Sequence, residues 1–247
     1  MRRFFMTLGG GVLLTVQAAR EGLVPPYHRD AVVAQIYAMG VLSLVLTMVA
    51  GLFAGMVVAL QGARELARFG AILYIGPTVA RSIVREAAPV MVALVVGSKV
   101  GAGIAAELGA MKVTEQIDAL RAIGANALKL LVVPRLLAGV VAFPLLTLIA
   151  DVVAIIGGLL VAAFQFRVDP VLYWTSIVQL TTFDDYFSGL GKSVVFGFLV
   201  ALSGCYQGLS FTGGSTELGR ATTGTVVVIG IAVLAADYML TQVFALL

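Results

Sequence analysis

The segment AVVAQIYAMGVLSLVLTMVAGLFAGMVVAL, residues 31–60, runs for thirty positions without a charged side chain. As a helix rising ~1.5 Å per residue it extends ~45 Å, enough to cross a ~30 Å hydrocarbon core with tilt. Nothing in it supplies the charged face that a water-exposed helix of that length carries. The stretch reads as a membrane span, and lipid is the solvent in which the rest of the chain has to be understood.

Composition extends that reading to the whole molecule. Hydrophobic residues make up 60% of the 247 and charged residues 12%, with a mean hydropathy of +1.05. A soluble domain of this length carries roughly 25% charged residues, so too few remain here to coat a water-facing globule. The 28 glycines suit close helix packing in a membrane. The net charge of +3 comes from scattered Lys and Arg, with no dense basic patch beside exposed aromatics, which argues against nucleic acid as a partner. Cys205 stands alone in an apolar run and the chain has one His. Neither a disulfide framework nor a cysteine or multi-histidine metal site can be assembled, so no metal or cofactor is expected on this chain.

Working outward from the first span, four more follow at about residues 87–110, 131–164, 189–211 and 225–247. Lys99 interrupts the second, and Pro134 and Pro144 can kink the third. Residues 61–86 are mixed, with Arg64, Glu65, Arg68, Arg81, Arg85 and Glu86 around a break at Ile75-Gly76-Pro77. Residues 167–185 are polar and aromatic and predict a short helix. Residues 213–224 read as a turn-rich loop. Ahead of the spans, residues 2–22 hold about 16 apolar positions between arginines. A basic start and short apolar core resemble a signal peptide. The other reading is an amphipathic helix lying in the interface, anchored by Arg2, Arg3 and Arg20. We adopt the second, because the stretch is short for a span and nothing downstream has the character of a secreted domain. Pro25-Pro26 ends it. The expectation is an all-α membrane protein: an interfacial elbow helix and linker over 1–30, and a five-helix transmembrane domain over 31–247.

Five spans put the termini on opposite sides. With the N-terminus inside, Lys and Arg divide ten to six in favour of the cytoplasm, the direction that the positive-inside rule requires. The N-terminus is therefore expected on the cytoplasmic side of the membrane, and the C-terminus on the opposite side.

Two nucleotide motifs fail on inspection. Gly191-Lys192-Ser193 imitates the end of a phosphate-binding loop, but Tyr186 occupies the position of the required glycine. Gly101-Ala102-Gly103 with Ala106 lies inside a span with no strand before it. Both read as packing glycines, so ATP hydrolysis is not expected of this chain. Asp151 and Asp237 each stand alone within a span. An intramembrane carboxylate is a functional candidate or a hydrogen-bonded link to a neighbouring helix. Between the second and third spans, Val113, Ile117, Leu120 and Ile123 recur at helical spacing while Glu115, Asp118 and Arg121 fall on other faces. That pattern describes either a coupling helix, which ABC permeases seat in a cleft of their ATPase, or a plain surface helix.

Longer motifs resolve the choice. The stretch GSKVGAGIAAELGAMKVTEQIDALRAIGANALKLLVVPRLLA, residues 97–138, resembles the signature of MlaE-type permeases. So do Arg85-Glu86 and KSVVFGFLVALSGCYQGLSFTGGSTELGRATTGTVV, residues 192–227. The similarity runs from about Gln35 to the C-terminus. It implies a homodimer bound to two copies of a separate cytoplasmic ABC ATPase, which holds the ATP and Mg. It also implies a periplasmic ring of MCE-domain protein and a phospholipid substrate moved between inner membrane and outer envelope. Carried over position by position, Glu115, Gln116, Ile117, Asp118, Leu120, Arg121 and Ile123 become the ATPase coupling helix. Arg85 and Glu86 become a charged pair near the outer opening of a lipid cavity. Val58, Leu66 and Phe69 become its lining, to which Arg64, Glu65 and Arg68 add charge not expected from the better-known members.

The competing reading is an ion-coupled secondary carrier for an amphipathic substrate, with Lys99, Asp151 and Asp237 as its relay. Such carriers usually consist of two related halves, and no internal repeat is visible. An intramembrane enzyme lacks the His, Ser or paired-Asp arrangement it would need.

Overall fold

The computed structural model describes residues 2–22, 29–211 and 213–246. The break at Pro25-Pro26 lies outside them. Eight helical elements make up the described chain, and no strand occurs among these residues. We number them α1 (Arg2–Gly22), α2 (Arg29–Arg68), α3 (Ile72–Val113), α4 (Gln116–Ala122), α5 (Leu128–Phe166), α6 (Pro170–Leu180), α7 (Phe183–Ser210) and α8 (Ser215–Leu246). Among the described residues, α2, α3, α5, α7 and α8 are long and apolar enough to cross a membrane, as the sequence leads one to expect.

The spans are longer than the hydropathy suggested. Residues 61–86 are helical rather than looped: α2 runs on to Arg68, and α3 starts at Ile72. Only a tip at Phe69, Gly70 and Ala71 reverses the chain, with Gly70 at φ +69°, where glycine has no Cβ to clash. Pro77 does not break α3, because it sits in the first turns, where a missing N–H has no helical acceptor to disappoint. Arg64, Glu65 and Arg68 are exposed near the tip of a helical hairpin.

The core is a bundle in which α5 packs on both α2 and α7, and α3 packs on α7 and α8. Lipid supplies no hydrophobic drive between spans, so close backbone approach must hold them together. The α5–α7 contact shows how: a Cβ added to Gly139 would lie 2.5 Å from the Gly197 carbonyl oxygen. Gly55 of α2 likewise meets the backbone of Ala154, at a distance that no side chain could share. The outer spans are the least covered. α8 is held through Thr225, Ile229 and Val233, while Val227, Ile231, Leu234 and Tyr238 remain exposed.

Two ends can be distinguished. At one lie α4, the start of α5, the end of α7 and α1, which docks Leu14 and Ala18. At the other lie the α2–α3 tip and α6, the short helix expected within residues 167–185. Asp169 caps α6 by accepting from the amides of Val171 at 2.7 Å and Leu172 at 3.1 Å. The described N-terminal helix and the end of α8 fall at opposite ends, as an odd number of spans demands. Lys99, Arg135 and Lys192 prove to lie inside spans.

Candidate functional site

Pro89 has no N–H to give the carbonyl of Arg85, and its ring crowds that carbonyl. The helix accommodates it with a π turn over Ile83–Ala87, a widening often found at functional positions. The turn carries Arg85 and Glu86, and it sends them to different partners. Arg85 Nη1 lies 3.4 Å from Asp185 Oδ1. Glu86 meets Lys192 of α7. The expectation that the two form a pair with each other is corrected: adjacent residues on a helix point about 100° apart and do not face each other.

Asp185 is a hub. Thr182 and Asp185 form a capping box at the start of α7, with Asp185 Oδ2 accepting from the Thr182 amide at 3.1 Å and hydroxyl at 3.0 Å. The same carboxylate takes Arg81 Nε at 3.2 Å, and Arg81 also donates to the Leu180 carbonyl at 3.0 Å. Asp185 is buried to 3% exposure, and the two guanidiniums remain partly exposed. Rigid partners thus hold both arginines while leaving donors free toward solvent.

About two turns further along α7, Lys192 is fully buried. Its Nζ pairs with Glu86, lies 3.1 Å from Asp237 Oδ1 and donates to Thr241 Oγ1 at 2.8 Å. Thr241 in turn donates to the Asp237 carbonyl at 2.8 Å. Three spans are tied at this point, and Glu86 remains 43% exposed on the open side. Three cations and three carboxylates therefore alternate from the surface inward: Arg81, Arg85 and Lys192 against Asp185, Glu86 and Asp237. An open cavity of about 570 Å³ lies over them, lined by Arg81, Arg85 and Glu86 on its charged side and by Tyr74, Pro77 and Leu180 on its apolar side.

Of the expected cavity residues, Arg85 and Glu86 line this space. Val58 and Leu66 are half-buried on α2, Arg64 is exposed, and Phe69 stands 81% exposed at the hairpin tip. Arg68 pairs with Glu65 at 3.2 Å, both exposed. Asp185 was not singled out in the sequence, Lys192 stood out only in the dismissed Gly191-Lys192-Ser193 motif, and Arg81 only as one charge of the mixed segment 61–86. Thr182-x-x-Asp185 carries a capping-box spacing that could have located Asp185. A lysine within an apolar run was the available signal for Lys192.

The relay imagined for a carrier does not assemble. Lys99 donates to the Leu42 carbonyl at 2.7 Å and the Ser43 hydroxyl at 3.3 Å, where a 3₁₀ turn over Val41–Ser43 interrupts α2. Asp237 belongs to the Lys192 cluster. Asp151 is buried, and its Oδ1 has no hydrogen-bond partner among the described residues.

At the opposite end, α4 covers Gln116–Ala122, with Glu115 just before it at φ +57°, an uncommon conformation for a non-glycine residue. Ile117 is buried and Leu120 half-buried, whereas Ile123 is 79% exposed. Asp118 and Arg121 pair at 3.1 Å on the open face. The helix anchors by one apolar residue and offers its charged edge and Ile123 outward.

The family model described as Permease MlaE matches residues 32–243. A probable ABC transporter permease protein of Rickettsia typhi is 37% identical over 97% of this chain and 93% of its own length. The intermembrane phospholipid transport system permease protein MlaE of Haemophilus influenzae is 34% identical over 87% of this chain and 83% of its own. A chloroplastic protein of Arabidopsis thaliana, trigalactosyldiacylglycerol 1, is 32% identical over 88% of this chain and 62% of its own.

Proposed function

The chain belongs to the MlaE permease family, and on that premise we propose that it is the membrane subunit of an ABC-type phospholipid transporter in a bacterial inner membrane. It works as a homodimer with a cytoplasmic ATPase and a periplasmic MCE-domain protein, its N-terminus inside and its C-terminus outside. The observation that carries the lipid reading is the cavity at the α6 end, where a charged wall and an apolar wall share one space.

A phospholipid needs both surfaces. Arg81 and Arg85, prepositioned by Asp185, would hold the phosphate through bidentate guanidinium hydrogen bonds. Exposed Glu86 supplies negative charge beside them, which keeps an anion from binding too tightly to leave. The outer half of α2, with Val58, Leu66 and Phe69, would take the acyl tails against the second copy. Each tail methylene so covered contributes about 0.8 kcal/mol.

The coupling segment lies at the other end. Gln116–Ala122, flanked by Glu115 and Ile123, would sit in a cleft of the ATPase with Asp118 and Arg121 against it. Its motion would reach the cavity through α3, which runs from the α4 end, through a second π turn at Val92–Val96, to the π turn at Arg85 and Glu86. ATP-driven approach of the two ATPases would close the cavity and press the lipid toward the MCE partner.

The test is reconstitution of the chain with its ATPase in vesicles containing a fluorescent phospholipid. The lipid should leave toward an acceptor only when ATP is hydrolysed, and the Arg81→Gln/Arg85→Gln double variant should lose that flux. Movement driven by a proton gradient without ATP would instead support a secondary carrier.

A further inference from the structure

A second pocket, of about 410 Å³, lies at the α4 end, between α1, α4 and the end of α7. It shares Ile117, Asp118 and Arg121 with the coupling helix, whereas Lys112 has no part in the coupling contact. Its apolar lining includes Leu13 and Leu14 of α1 with Leu128 and Leu209, and its polar lining includes Lys112, Arg121, Gln17 and Tyr206.

We propose that this pocket binds the headgroup of an anionic phospholipid of the adjacent leaflet, as a resident lipid distinct from the transported one. Three observations point there. The first is charge: Lys112 and Arg121 face one carboxylate, Asp118. Lys112 uses one ammonium proton on the Leu209 carbonyl at 2.7 Å and keeps two for a phosphate. Arg121 gives Asp118 one hydrogen bond at 3.1 Å from its five donors.

The second is continuity with lipid. Val12, Leu13 and Val16 of α1 are exposed by 45–64%, an apolar stripe that an interfacial helix turns toward acyl chains. Leu13 belongs both to that stripe and to the pocket wall, so a tail lying along α1 leads its headgroup to Lys112. The third is construction. Gly10 has no side chain where α1 crosses Tyr206, and a Cβ there would collide with the ring. α1 therefore packs directly against Tyr206 beside the pocket, and the volume left falls within the usual ~300–1,000 Å³ range of ligand sites.

A headgroup so placed bridges α1 and α4, and links leaflet composition to the position of the coupling helix. The site is built from a net-positive pair, so it selects a net-negative headgroup over a zwitterionic one, by roughly fivefold for each cation. Placing it in the inner leaflet rests on the orientation proposed above.

The test uses the permease–ATPase complex in nanodiscs of phosphatidylcholine with or without phosphatidylglycerol. A photo-crosslinking residue replaces Gln17, and adducts are identified by mass spectrometry. We expect a phosphatidylglycerol adduct in preference to phosphatidylcholine, reduced about fivefold by Lys112→Gln and unchanged by Arg167→Gln, a cation at the opposite, α6 end. Equal labelling of both lipids, indifference to Lys112→Gln, or an adduct with an ATPase peptide would each overturn the proposal. A cysteine placed at Ser210 and labelled from either side of sealed membranes tests the orientation separately. Outside labelling with phosphatidylglycerol still captured would move the site to the other leaflet and refute its inner-leaflet assignment alone.

Discussion

Replacing Lys192 by Met removes the one fully buried cation that faces Glu86 and Asp237. Methionine fills much of the lysine's volume, so the loss is chiefly electrostatic. Removing one partner of a buried pair costs about 3–5 kcal/mol, because the remaining charge is left uncompensated. Glu86 is 43% exposed and Asp237 21%, so solvent offsets part of that penalty and the lower figure, about 3 kcal/mol, applies. For a chain of this size that corresponds to a fall of roughly 6–12 °C in the unfolding midpoint. The assay is built into the molecule: Cys205 is the sole cysteine and is fully buried, so a thiol-reactive fluorogenic dye reports unfolding in detergent. The triple variant Lys192→Met/Glu86→Gln/Asp237→Asn should recover at least half of the lost stability, since neutral groups no longer repel. A Lys192→Met midpoint equal to that of the wild type, or a triple variant no better than the single one, would refute the reasoning.

Three more expectations follow from the same geometry. Asp118→Arg should abolish co-purification of the ATPase with an unchanged unfolding midpoint, because Asp118 is exposed and its pair with Arg121 is a surface one worth about 0–1 kcal/mol. Gly197→Leu should destabilise the bundle by at least about 1–3 kcal/mol, since the added side chain meets the Gly139 backbone and the Phe143 side chain; the thiol assay reads it. Arg81→Gln and Arg85→Gln should each reduce phospholipid retained through purification about tenfold, the worth of hydrogen bonds to a charged group, as quantified by lipid mass spectrometry.

How much of this was legible depends on what each residue's surroundings add. The five spans could be read directly, because residues 31–60 and their counterparts contain too little polarity for water to be their solvent. The segment 61–86 read as mixed, with a break at Ile75-Gly76-Pro77, because its charges sit on a helical hairpin that continues beyond the apolar stretch. Hydropathy measures solvent, not backbone conformation. The amphipathic period of 113–123 located α4, but it overstated the buried face: only Ile117 reaches the core, while Ile123 stays exposed. The charge cluster was the least visible. Arg85-Glu86 could be flagged from a resemblance, yet their true partners, Asp185 and Lys192, lie 100 and 106 positions away. Such pairings come from the packing of α3 against α7 around Gly189, and no local pattern encodes them.

Native mass spectrometry of the assembly, purified in mild detergent with its membrane lipid retained, would weigh the transporter assignment most directly. The expected mass is that of two copies of this chain with two copies of an ATP-hydrolysing subunit and bound phospholipid. A chain recovered free of any nucleotide-hydrolysing partner and of phospholipid would contradict it.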